Sequence, residues 1–180
     1  MPRKVRRATF HHGDTKRAAI EAALALLTQD GREALALRTV AERIGVNHRA
    51  LYRHFASLEA FKAEVAALGF GRLADALEEV SPGQPRALVR AYATFAFAEP
   101  HLYDLMFSLP LRDWYTTADG PGLAMRRVTA AAVAAIGSAD AQARVFRLWG
   151  LAHGLIGLYR AGAWRARSDR QAIQFIAGLV

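Results

Sequence analysis

The stretch LRTVAERIGVNHRALYRHF, residues 37–55, decides how this chain is read. Leu37, Val40, Ala41 and Ile44 recur at spacings of three, one and three, which is one apolar stripe on a helix. Gly45 follows at once, where a helix commonly ends on a left-handed residue. Val46 can anchor the turn in the core. Asn47 suits the N-cap of a second helix, because its side chain accepts a hydrogen bond from a free backbone N–H. Ala50, Leu51 and Phe55 then offer a small apolar face. Asn47, His48, Arg49 and Arg53 are left to point outward, with Tyr52 beside them. A short, capped helix with a basic outer side fits a DNA major groove. An ordinary helical hairpin with a solvated basic face has the same spacing.

The surroundings favour the DNA reading. Two helices this short need a third to make a core. Residues 14–27 supply it, with Ile20, Ala23, Leu24 and Leu27 on one face, and the three form a bundle of the helix-turn-helix kind. Charge is uneven along the 180 residues. Residues 1–57 hold eleven Lys or Arg against five Asp or Glu, whereas residues 58–180 hold thirteen against eleven. Most of the net charge of +8 therefore lies with the candidate DNA reader, as an electrostatic footprint should. The first ten residues, MPRKVRRATF, are basic, lack an apolar signal core and read as a disordered arm that tracks phosphates or is simply solvated.

An apolar content of 53% is ample for a globular core, and the absence of Cys excludes a disulfide framework and a thiolate metal site. A reducing cytoplasm is the compartment expected. No membrane span is expected, since the apolar run Leu148–Tyr159 is only twelve residues between Arg147 and Arg160. Ala, Leu, Arg and Glu dominate, and strand-like alternation is scarce. The fold class expected is all-α, with about nine helices near 14–30, 37–44, 47–54, 58–80, 85–98, 101–108, 121–136, 139–163 and 169–179. Gly31, the SPGQP loop at 81–85, Pro100, Pro110 and the DGPG loop separate them. Two parts are expected, the arm plus DNA-binding domain at 1–57 and a larger helical domain at 58–180. They share the helix at 58–80, which is the expected lever between them.

Residues 14–80 resemble the DNA-binding half of TetR/AcrR-type transcriptional regulators. The matching stretch is LRTVAERIGVNHRALYRHFASLEAF, with LYRHF at 51–55 closing the recognition helix. The resemblance implies an all-helical homodimer that binds double-stranded palindromic operator DNA and is released by a small-molecule effector, with no cofactor. It makes Asn47, His48 and Arg49 the base-edge readers. Tyr52 and His54 match phosphate contacts, although a packing role for Tyr52 and a core hydrogen bond for His54 are open alternatives. Arg38 and Thr39 face the DNA backbone, and the exposed Arg53 belongs to the same basic surface. Two positions depart from the family pattern. Ala36 stands where a Ser or Thr caps the first helix of the motif, a loss of about 1 kcal/mol that a neighbouring group is expected to offset. Leu58 stands where a Lys follows LYRHF, and Lys62 one turn later can partly replace it.

The second half resembles the subgroup of these regulators whose ligand domain is named for a Trp, a His and a Gly. The residues that carry it are Trp149, His153 and Gly154 in LWGLAHGLIGL, the stretch YATFAFAEPHLYDLMF at 92–107, and Gly69–Phe70. Trp149 and His153, four apart, share a helix face. Candidate pocket residues are Phe70, Tyr92, Phe95, Met106, Phe107, Trp114, Tyr115, Trp149 and His153, each of which is also an ordinary core residue. No charged group stands out as a ligand partner, so an apolar or weakly polar ligand is expected. The family's dimer uses its last two helices, here 139–163 and 169–179. The face of Ile173, Ile176, Ala177 and Val180 calls for burial, in the dimer or within the subunit.

Rival functions fit less well. No Gly-rich phosphate loop, HExxH or GxSxG motif marks a small helical enzyme. His11 and His12 are adjacent in the arm and read as solvated rather than metal-binding. A nonspecific architectural DNA protein would not need the large apolar second half.

Overall fold

A computed structural model describes residues 12–112 and 120–180, so the arm expected at 1–10 lies outside the described residues. Those residues form nine α-helices and no strand, as expected of the all-α class. In chain order they are α1 (His12–Asp30), α2 (Leu37–Arg43), α3 (His48–Leu51), α4 (Leu58–Glu78), α5 (Pro85–Ala98), α6 (Pro100–Ser108), α7 (Gly120–Ile136), α8 (Ala141–Arg160) and α9 (Asp169–Gly178). They fall into two compact units, the residues up to Val65 and Ala66–Val180, divided within α4.

The first unit is built on the stripe Thr15, Ala19, Ala22, Ala23, Leu26 and Leu27 of α1, all buried. Of the face expected, Ala23 and Leu27 are buried, whereas the larger Ile20 and Leu24 are only half-buried. Three alanines take the central positions because short helices must approach α1 closely to share a core. Val40 of α2, Leu51 of α3 and Phe61 and Val65 of α4 are fully buried in that core. Each such side chain contributes about 1.5–3 kcal/mol by leaving water. The helix expected at 47–54 is shorter. It closes at Leu51, whose carbonyl accepts the N–H groups of both His54 and Phe55 at 2.9 Å. The chain leaves the helix there so that Phe55 can turn inward, edge-on to Phe61 at 4.8 Å between ring centroids.

In the second unit α5 packs against α6, α7, α8 and α9. Pro85 and Pro100 each open a helix at its first position, where a missing N–H costs nothing. Gly69 sets the contact of α4 with α6. A Cβ there would lie 2.6 Å from Met106 Sδ and 3.1 Å from Leu102 Cγ, so any other residue would have to push the Met106 side chain aside. Arg127 ties α7 to α4 through Asp75 at 2.8 Å and Glu78 at 2.7 Å. On α9, Ile176 and Ala177 join Ala172 in the subunit's own core, whereas Ile173 and Val180 are half-buried. No helix among the described residues is long and apolar enough to cross a membrane.

Candidate DNA-reading surface and ligand cavity

The turn between α2 and α3 is fixed by backbone geometry. Gly45 sits at φ +72°. The Val46 N–H bonds the Ala41 carbonyl at 3.0 Å, and the Gly45 N–H bonds the Glu42 carbonyl at 3.2 Å. This pair of bonds is the Schellman arrangement, which satisfies the last carbonyls of α2 and requires a left-handed residue at position 45. Asn47 then caps α3, its Oδ1 accepting the Arg49 N–H at 2.9 Å. At the other end of α2, Ala36 is extended and offers no side-chain cap. Its carbonyl still accepts the Val40 N–H at 3.0 Å.

Arg38, Thr39, Asn47, His48, Arg49, Tyr52 and Arg53 are all exposed, and His54 and Lys62 are half-buried. Tyr52 is 55% exposed and stands edge-on to His48 with centroids 6.5 Å apart, so it is not a core packing residue. Arg38 is held along its own helix by Glu42 at 2.9 Å. An exposed pair of this kind is worth only about 0.3–0.5 kcal/mol and yields easily to a phosphate. With Oδ1 spent on the cap, Asn47 presents its amide N–H groups outward as donors. A bidentate contact to adenine needs both the oxygen and the nitrogen, so at this position it would cost the cap, about 1 kcal/mol. Ser57 starts α4 by accepting the Ala60 N–H at 3.0 Å. Backbone N–H donation, the Ser57 hydroxyl and nearby Lys62 hold the Glu59 carboxyl below its ordinary value.

The second unit contains a cavity of about 70 Å³. A single water needs about 10–15 Å³ by the same measure, so a small molecule fits. Phe70, Tyr92, Phe107 and Trp149 line it, together with aliphatic side chains of α4, α5, α7 and α8 and the amide of Gln142. No charged residue does. Phe95 and Met106 do not reach it: both are buried, and Met106 is committed to the contact over Gly69. Trp114 and Tyr115 lie outside the described residues. Met125 and Phe146 line the cavity and were not singled out from sequence. Phe146 stands three residues before Trp149, a spacing that shares a helix face and could have revealed it. Thr129, also on the wall, spends its hydroxyl proton on the Met125 carbonyl at 3.1 Å.

His153 lies just behind this wall. Its Nδ1 is 2.5 Å from the Tyr103 hydroxyl and 3.1 Å from that of Tyr92. The two hydroxyls are 2.9 Å apart, and Trp149 Nε1 donates to the Tyr92 oxygen at 2.9 Å. Arg160 covers the Tyr103 ring at 4.9 Å and pairs with Asp104. Burial, with Arg160 close by, pushes the His153 imidazole below its ordinary range. Burial likewise raises both phenols, Tyr103 to about 12. Tyr103 was missed in the sequence because nothing there pairs it with a residue fifty positions away. No group of three metal-ligating side chains occurs among the described residues.

An exposed helix-turn-helix with a basic outer side, followed by a helical unit around an uncharged apolar cavity, is the arrangement of a DNA-binding transcriptional regulator. Comparison with known families places it. Residues 19–65 match the model for bacterial regulatory proteins of the tetR family, and residues 86–176 match that for the tetracyclin repressor-like C-terminal domain. The second match alone spans half of the chain, and the chain belongs to the TetR family of transcriptional regulators. It is 29% identical over 97 residues to the HTH-type transcriptional regulator YobS of Bacillus subtilis (strain 168), a match that covers 51% of each protein, so the chain spans about half the length of that relative. A solved Rhodococcus sp. RHA1 protein superposes with a TM-score of 0.74 at 26% identity, covering 96% of both chains. A TetR transcriptional regulator from the same organism superposes at 0.65, with 18% identity and coverage of 94% of this chain and 97% of that one. The latter likeness is one of fold.

Proposed function

We propose that this protein is a ligand-responsive repressor with a ligand domain of the Trp-His-Gly type. It binds a palindromic operator as a homodimer and leaves it when a small apolar or weakly polar molecule fills the cavity. The observation that carries this reading is the pairing, in one chain, of an exposed basic helix-turn-helix with an apolar cavity that no charged residue lines. Asn47, His48 and Arg49 read base edges, and Arg38, Thr39, Tyr52, Arg53, His54 and Lys62 hold the phosphates. A ligand that prefers the form unable to bind DNA shifts the population away from the operator.

The homodimer is supported by apolar side chains left in water on the last two helices. Phe146, Leu151 and Leu158 of α8, Phe175 of α9 and Leu179 just after it are each more than one-third exposed. Apolar patches on a monomer usually mark an interface. In that dimer, recognition helices would lie about one DNA turn apart, roughly 34–36 Å, or a multiple of it.

The test is binding to the DNA upstream of the protein's own gene, set against random duplex at physiological salt. Preference for the upstream DNA and loss of affinity in Tyr52→Ala, with the fold intact by circular dichroism, are the expected results. Equal affinity for both DNAs refutes the repressor reading. A light-scattering mass of one subunit at micromolar concentration refutes the dimer.

A further inference from the structure

The cluster of Trp149, Tyr92, Tyr103 and His153 has a proton count that constrains what the cavity can hold. When His153 Nδ1 carries no proton, every donor is used internally. Trp149 donates to Tyr92, Tyr92 to Tyr103, and Tyr103 to Nδ1. The cavity wall then offers a ligand no donor from this cluster. When Nδ1 carries the proton, the cluster holds one donor more than it can pair internally, and the surplus proton lies on Tyr103 or, if the chain runs backwards, on Tyr92. In the backward run His153 donates to Tyr103, Tyr103 donates to Tyr92, and the Tyr92 oxygen fills both lone pairs with Tyr103 and Trp149. The Tyr92 proton then has no acceptor inside the cluster. Of the two phenols only Tyr92 lines the cavity, so a ligand there can take the surplus proton only from Tyr92. Left unpaired there, a buried donor costs about 1–3 kcal/mol, which favours the first arrangement.

We propose that the cavity takes an uncharged ligand bearing one hydrogen-bond acceptor, of the carbonyl or ether kind, seated on Tyr92. Its binding reverses the hydrogen-bond chain and moves the His153 proton to Nδ1. This rests on the effector-cavity reading above and adds to it the polar group recognised. The half-buried ring changes tautomer by losing the Nε2 proton to water and gaining one at Nδ1, so no charge is created. Around the ring stand Tyr92 from α5, Tyr103 and Asp104 from α6, and Arg160 on its own helix. The Arg160–Asp104 pair accounts for the charges there and leaves the neutral exchange as the path open to the imidazole.

The test uses acetophenone and its isostere α-methylstyrene, which replaces the carbonyl oxygen by CH2, on the full chain labelled with ¹⁵N-histidine. Acetophenone should move the His153 Nδ1 resonance from the bare to the protonated position, and α-methylstyrene should not. In Tyr92→Phe, the ratio of ketone to alkene affinity should fall about fivefold, the scale of one neutral hydrogen bond. A bare Nδ1 with the ketone bound overturns the proposal without any variant, as does an unchanged affinity ratio in Tyr92→Phe. Failure of both probes to bind overturns the effector-cavity reading, and this proposal with it.

Discussion

Replacing Gly45 by alanine isolates the backbone term in the reading turn. Position 45 is left-handed at φ +72°, and a Cβ built there meets nothing within 4 Å. No clash contributes, so the cost is conformational. For an L-residue the left-handed region costs about 1–2 kcal/mol. Restricting the unfolded chain returns about 0.4–1 kcal/mol. The net loss expected for Gly45→Ala is then about 1 kcal/mol, or roughly a fivefold change in the local equilibrium. Asparagine visits the left-handed region far more readily than alanine, so Gly45→Asn should lose only a few tenths. Amide hydrogen exchange across α2 and α3 reads this local opening directly. Protection should rank Gly, then Asn, then Ala. If Gly45→Ala exchanges no faster than the parent chain, or if Asn is as costly as Ala, the Schellman turn is not what fixes α3.

Four further substitutions test other links. Asn47→Asp keeps an acceptor for the Arg49 N–H but replaces outward donors by negative charge; it should preserve α3 by hydrogen exchange while weakening binding to upstream DNA at least tenfold, and unchanged affinity would remove Asn47 from the reading surface. Ser57→Ala should destabilise by about 1 kcal/mol through loss of the cap, measured by urea denaturation. In the same variant the Glu59 carboxyl should titrate higher by NMR; its depressed pKa gives the folded state stability that is present above about pH 4.5 and is lost as the pH falls through the lowered folded value. Gly69→Val forces a Cβ into the space of Met106 Sδ and should cost about 1–3 kcal/mol by overpacking. Adding Met106→Ala should recover part of that cost, and purely additive losses would argue against the contact.

Helix positions were legible in the sequence because their punctuation is chemical and local. Gly45, Asn47, Pro85 and Pro100 each stand where the backbone demands them. Which face of a helix is buried was harder to read. On α1, close packing chose alanines over the larger Ile20 and Leu24, and no periodicity of size announces that. The cavity was half-legible. Phe70, Tyr92, Phe107 and Trp149 line it, but Phe95 and Met106 fill the core instead. Spacing along one helix says that a side chain points inward, not whether it meets a neighbour or a void. The hydroxyl–imidazole cluster was least legible, since it joins α5, α6 and α8 across long stretches of chain.

Trp149 has a consequence for how the molecule can be watched. Its indole forms part of the cavity wall while its N–H is held by the Tyr92 oxygen at 2.9 Å. The emission of an indole depends on the polarity around it and on what its N–H bonds. Occupation of the cavity and any rearrangement at Tyr92 therefore alter the same chromophore. The protein carries its own optical gauge, and a library of small molecules can be sorted by fluorescence on the unlabelled chain before any DNA is added.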